Sequence, residues 1–223
     1  MAQAALLAAL LAGAVAELWN PPPHRRWPLL TLAVALLIGA TFAAQGVRPD
    51  LLPLLARDPR MLASGEVWRA VTALFAQDGG TAGTMFNLAW LLVLGTAAER
   101  RFSRRAWLAV YFLGGIATEF LALAWQPHGA GNSIACMALA GALCSDWREG
   151  RGRWWRAAVG LVGTAAAALL LWESDIHGIG FCLGLAIGFV LVAHGALARG
   201  RDLDPPAEPA DNVVFIRGTD TYH

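Results

Sequence analysis

The sequence predicts an all-α integral membrane protein, a bundle of six transmembrane helices with one additional hydrophobic helix at the N-terminus. Three observations predict it. The 223 residues are 57% hydrophobic and only 15% charged, with a mean hydropathy of +0.50, whereas soluble domains carry about 25% charge. Seven apolar stretches approach the roughly 17–25 residues a helix needs to cross a bilayer. Arginine, finally, is sorted between alternate connecting segments. The same composition excludes a disordered or collagen-like chain, and Cys136, Cys144 and Cys182, all in apolar runs, exclude a disulfide scaffold. With 16 acidic against 17 basic residues there is no net field to attract nucleic acid.

Residues 1–19 form the first stretch, interrupted only by Glu17 and closed by Pro21-Pro22-Pro23. They read as a retained helix, although Ala14-Val15-Ala16 also fits the cleavage site of a signal-like segment. Residues 20–198 carry the six-helix membrane domain. Its spans are 27–45, 82–98, 106–125, 131–145, 157–172 and 177–198. The stretch 131–145 is short and rich in Ala and Gly, and short spans persist where protein surrounds them, so it belongs at the centre of the bundle. Tryptophans 27, 90, 107, 125, 147, 154, 155 and 172 fall mostly at span ends, where an interfacial belt places them. Residues 199–223, polar and holding Pro205, Pro206 and Pro209, read as a disordered tail.

Orientation follows from arginine. Arg25, Arg26, Arg100, Arg101, Arg104, Arg105, Arg148, Arg151, Arg153, Arg156, Arg199 and Arg201 lie in four segments that a seven-span topology puts on one side. The 46–80 segment instead balances four arginines with Asp50, Asp58, Glu66 and Asp78. The positive-inside rule makes the arginine-rich side and the C-terminus cytoplasmic, and the 46–80 segment external.

Polar residues inside spans are costly and therefore informative. They are Asn87, Glu119, Ser133 and His177, with scattered Thr. Asn87, Ser133 and His177 head three spans that all descend from the outside, so at about 1.5 Å per residue their depths agree to about a dozen ångströms. Gly180, Gly184 and Gly188 form a smooth stripe, and Ala138, Gly141 and Ala142 give the Ser133 span a matching face. If the two faces pack, His177 reaches Ser133. A serine hydroxyl becomes a nucleophile when a base takes its proton, and His is the usual base. Asn87 and the Ser133 N–H are candidate donors to a developing oxyanion. Taken singly, these residues equally suit a helix cap, an interface histidine and interhelical glue.

The segment Gly65-Glu66-Val67-Trp68-Arg69-Ala70-Val71-Thr72, the run Asn87-Leu88-Ala89-Trp90-Leu91 with Gly95 and Glu99, Gly131-Asn132-Ser133, and His177-x-x-Gly180-x-x-x-Gly184 occur in that order. Together they resemble the motifs of the rhomboid intramembrane serine proteases, over about residues 27 to 198. The resemblance implies Ser133 as nucleophile and His177 as base in a dyad without Asp. It also implies Asn87 as oxyanion donor. Trp68 and Arg69 would brace a partly embedded outer loop, and Glu99 would tether the inner end of its helix. The implied reaction is hydrolysis of a peptide bond in or near the transmembrane segment of another membrane protein, without cofactor or metal. The implied setting is the bacterial inner membrane, with the site near the outer face.

Three positions depart from the family pattern. Ile134 replaces the Gly after the nucleophile and is expected to crowd the oxyanion site. Gly83 stands where many rhomboids carry a His, and Met137 where an aromatic residue stacks on the catalytic His. They imply a slow or specialised protease. The alternatives are a pseudoprotease that binds transmembrane segments without cutting them, and a transporter using Glu119. Against the transporter stands the want of a second buried charge in the spans to pair with Glu119. His128 and His194 lack metal-ligand spacing.

Overall fold

The computed structural model describes residues 27–145 and 153–194, all helix and connecting loop apart from one isolated bridge between Arg57 and Gly129. The additional N-terminal helix 1–19, the tail 199–223 and arginines 25, 26, 148, 151, 199 and 201 lie outside the described residues. Helix α1 spans Leu29–Val47. Three short helices follow, α2 (Leu51–Leu55), α3 (Pro59–Ala63) and α4 (Arg69–Thr72). Helix α5 is Gly80–Arg101, α6 covers residues 104–122, α7 is Ser133–Ser145, α8 is Arg153–Trp172 and α9 is Ile176–Ala193. Of these, α1, α5 and α9 are each long and apolar enough to cross a membrane, and α7 and the 157–172 part of α8 are shorter apolar helices.

Helix α7 is the axis of the bundle, as its length and small residues predict. Ten of its 13 residues are buried. The outer helices bury one stripe each and leave large apolar side chains outward, among them Leu36 on α1, Leu161 on α8 and Val190 on α9. A soluble fold does not tolerate so much exposed apolar surface; a bilayer solvates it.

The tightest contact is α7 on α9. A Cβ added at Gly184 would collide with the Ala138 carbonyl, one at Gly141 with the Phe181 carbonyl, and one at Gly180 would lie 2.7 Å from the Ile134 carbonyl. Small residues are the means by which helices associate in lipid, where burial of apolar surface offers no advantage over the acyl chains. The opposite edge of α9 also approaches α8 closely, since a Cβ on Gly178 would sit 2.8 Å from the Ala167 carbonyl.

Helices α5 and α6 each contain one π-helical turn, Leu91–Gly95 and Val110–Gly114. The wider turn frees a carbonyl, and the Trp107 indole donates to Gly95 O at 3.1 Å. Helix α1 begins at Pro28, which has no side chain to cap it. Glu99 of α5 supplies the cap across space, accepting from Leu30 N at 3.0 Å, Thr31 N at 2.9 Å and Thr31 Oγ1 at 3.0 Å. A carboxylate there also complements the helix dipole, so Glu99 fastens its own helix end to the start of α1.

Gly184→Val is expected to overpack the α7–α9 contact and destabilise the protein by about 1–3 kcal/mol. Gly39→Ala, whose Cβ meets nothing within 4 Å, is expected to stabilise helix α1 by about 0.5–1 kcal/mol. Equilibrium unfolding in detergent measures both.

Candidate active site

One end of the bundle gathers the polar residues. Gly131 has φ +153°, a conformation that favours glycine, and its N–H donates to Ala73 O at 2.9 Å. This bend delivers the chain into α7, whose first residue is Ser133. At α9, Ser174 adopts a left-handed φ of 58° and Asp175 then caps the helix. The close approaches at Gly178 and Gly180 wedge the start of α9 between α8 and α7, carrying His177 to Ser133.

His177 Nε2 lies 3.0 Å from Ser133 Oγ. His177 Nδ1 lies 2.6 Å from Asp175 Oδ1, which also accepts the His177 backbone N–H at 2.9 Å. A carboxylate only accepts, so Nδ1 carries the proton and Nε2 is left to receive one from the serine. The pair expected from the sequence, Ser133 and His177, lies within hydrogen-bond distance, and a carboxylate stands next to it. Asp175 stands behind the imidazole, and Ser133, His177 and Asp175 form one hydrogen-bonded line. Its presence is a consequence of capping: an N-cap side chain bonds the N–H two residues on, which brings the carboxylate to the ring of that same residue.

Asn87 Nδ2 donates to Gln77 Oε1 at 2.8 Å. A Cβ built on Gly131 would lie 3.5 Å from Asn87 Nδ2 and 3.8 Å from Ser133 Oγ, so the bare glycine keeps the space between amide and hydroxyl open. The three residues face a cavity of about 290 Å³, which Gly79, Gly83, Phe86, Trp90, Cys136, Met137 and Leu170 also line. A Cβ on Gly83 would meet nothing within 4 Å. Met137 lies one helical turn from Ser133 and lines the same cavity as His177. Ile134 does not crowd the site. It is 2% exposed and packs in the core, outside the cavity lining, because one residue along a helix turns its side chain about 100° away.

The segment between α1 and α5 is held by arginines. Arg69 is buried and binds Glu66 Oε2 at 2.6 Å, Pro53 O at 2.7 Å and Ala56 O at 3.1 Å. Thr72 Oγ1 adds a bond to Leu55 O at 2.8 Å, and Trp68 is 52% exposed. Leu54, Val67 and Trp68 turn apolar surface outward from this segment. Asp58 caps α3, and the Met61 N–H, followed by that of Arg60, holds its carboxyl below the usual carboxylate range.

Glu119 has a partner that the sequence did not reveal. Arg57 Nη1 pairs with it, both side chains being almost wholly buried. Arg57 also donates to Gln126 O at 2.8 Å and His128 O at 3.4 Å, and its own N–H to Gly129 O at 2.9 Å. The absence of a buried partner for Glu119 is thereby corrected: the carboxylate is consumed in clamping the 126–130 loop, which leads directly to Ser133. His128 lies 3.6 Å from Asp58 and His194 bonds Val190 O at 2.8 Å. Among the described residues no group of three or more His, Cys, Asp or Glu is placed to hold a metal.

Asp175, Gln77, Asn132 and Arg57 are the site residues that reading the sequence missed. Asp175 had a signal, an acidic residue at a helix start two before the histidine. Asn132 stood inside the Gly131-Asn132-Ser133 run without a role of its own, whereas Gln77 and Arg57 had no signal, being polar residues of the 46–80 segment that bond Asn132 and Glu119 far along the chain.

Glu119→Leu alone is expected to cost about 3–5 kcal/mol by leaving Arg57 buried and unpaired. The double variant Arg57→Met/Glu119→Leu is expected to cost less than either single change. Unfolding of the three variants in detergent checks the order.

The Rhomboid domain family matches residues 64–194, the stretch holding every residue of this site except Arg57. No curated protein matches the chain.

Proposed function

The chain belongs to the rhomboid family, a family of intramembrane proteases and pseudoproteases that act on transmembrane partners within a membrane, and from that premise we propose that it is an intramembrane serine endopeptidase. The observation that carries the reading is the line Ser133–His177–Asp175 opening on the cavity beside Asn87.

In the proposed reaction His177 Nε2 takes the Ser133 proton as Oγ attacks the scissile carbonyl carbon. Asp175 holds the ring in the tautomer that can accept, and stabilises the imidazolium that forms. The negative oxygen of the tetrahedral intermediate is met by the Ser133 N–H, one of the helix-start donors without an intrahelical partner, and by the Asn87 amide. His177 returns the proton to the leaving amine, and water repeats the sequence on the acyl-enzyme. The cavity walls are apolar, which suits a substrate that arrives as a transmembrane segment from between helices.

Arginine sorting supports a cytoplasmic C-terminus and a site near the outer face of the membrane. The second reading, a pseudoprotease, is favoured by one observation: Gly83 leaves open space where the family often carries a histidine. The transporter reading is weakened by the clamp, because Glu119 is bound to Arg57 at the loop.

A fluorophosphonate probe in detergent is expected to label the wild type at Ser133 and to leave Ser133→Ala and His177→Ala unlabelled. Absence of wild-type labelling favours the pseudoprotease. Asp175→Asn is expected to slow labelling by about 10²–10⁴-fold while the protein stays folded, since the ring loses the negative charge that stabilises the imidazolium and faces an amide that can also donate. Unchanged labelling in that variant assigns Asp175 to capping only.

A further inference from the structure

Three buried carboxamides in a membrane protein call for a reason, because each costs several kcal/mol unless its hydrogen bonds are met. Gln77 is 2% exposed, Gln45 9% and Asn132 fully buried. Gln45, on α1, grips the backbone of Gln77 from both sides, accepting from Gln77 N at 3.1 Å and donating to Gln77 O at 3.0 Å. Gln77 Nε2 donates to Asn132 Oδ1 at 3.0 Å. Its other atom, Oε1, then faces Asn87 and accepts from Nδ2 at 2.8 Å.

The polarity of this chain matters. An unrestrained Asn87 carboxamide can present either its oxygen or its nitrogen to the cavity, and only the nitrogen can stabilise an oxyanion. With the Gln77 nitrogen committed to Asn132, an acceptor stands beside Asn87 and selects the amide nitrogen for that side. One Nδ2 hydrogen is bound by Gln77 and the second remains for the cavity. Asn132 belongs to the bend that carries Ser133, so the same chain ties donor and nucleophile to one frame.

We propose that Gln77, backed by Gln45, is a positioning residue that sets the orientation of the Asn87 amide for oxyanion stabilisation. The inference rests on the protease reading above. Gln77 touches no reacting atom and acts through Asn87 alone.

The test is the rate of covalent labelling by the fluorophosphonate, in which Ser133 Oγ bonds to phosphorus, fluoride leaves, the serine proton passes to His177, and the phosphoryl oxygen takes the oxyanion position. Asn87→Ala is expected to lower the maximal labelling rate kinact by about 10²–10³-fold. Gln77→Met, which keeps the bulk and removes the hydrogen bonds, is expected to lower kinact by about 10–100-fold with the probe's KI unchanged. The double variant is expected to match Asn87→Ala, since a positioning residue has nothing left to position. A Gln77→Met protein with wild-type kinact, or effects that multiply in the double variant, overturns the inference and leaves the protease reading intact. If Gln77→Met does not fold, Gln77→Glu replaces it in the cycle. That variant keeps an acceptor toward Asn87 and loses the donor to Asn132, so a smaller effect with the same non-additivity is expected, and multiplied effects again overturn the inference. A wild type that the probe never labels overturns both readings together.

Discussion

The contact on which the rest depends is backbone against backbone, α7 against α9. In water two apolar helices are driven together by solvent. In a bilayer the acyl chains are as apolar as the side chains, so association has to come from close packing. Gly141, Gly180 and Gly184 permit that closeness because a Cβ at any of them would meet a carbonyl of the facing helix. The contact also fixes axial register. A slip of one helical turn is about 5.4 Å, enough to destroy the 3.0 Å approach of His177 to Ser133, residues 44 apart in sequence.

The other helices are fixed differently. Helix α1 buries only Thr31, Val34, Ile38 and Gln45, too thin a stripe to hold it by packing. Its two ends are instead bonded, Thr31 to the Glu99 carboxylate and Gln45 to the Gln77 backbone. The loop ahead of α7 follows the same rule through Arg57 and Glu119. Glu99, Gln45, Arg57 and Glu119 thus fasten weakly packed elements, while Asn87, Ser133 and His177 face the cavity. Gln77 links the two sets, since its backbone fastens α1 and its side chain meets Asn87.

Whatever depends on one helix and its spacing was legible in the sequence. The apolar runs predicted the described spans closely, the small-residue composition put α7 at the centre, and the glycine stripe predicted its partner. Asn87, Ser133 and His177 were singled out because so few polar residues interrupt the spans. What could not be read was pairing across loops. Arg57 and Glu119 are 62 residues apart, and an arginine in a polar loop reads as an orientation charge rather than a buried clamp. Gln45 closes the apolar run 27–45, and nothing in its spacing points to Gln77. Ile134 is a different failure, since helical geometry already turned it away from the face shared by Ser133, Cys136 and Met137.

The departures from the family pattern bear on the protease reading in opposite directions. Gly83 offers no side-chain donor, and one oxyanion donor is worth about 2.7–4 kcal/mol. On that reading Asn87 is the side-chain oxyanion donor left among the residues lining the cavity, so its orientation carries more of the stabilisation than it would beside a second donor. A fixed amide chain meets that need, because a donor already aimed costs no reorganisation as charge develops. On the same reading Asp175, bonded to His177 Nδ1 at 2.6 Å, orients the base from the far side of the ring. The chain thus gives up a donor and a stacking partner, and holds the donor and base that remain with hydrogen bonds from outside the cavity.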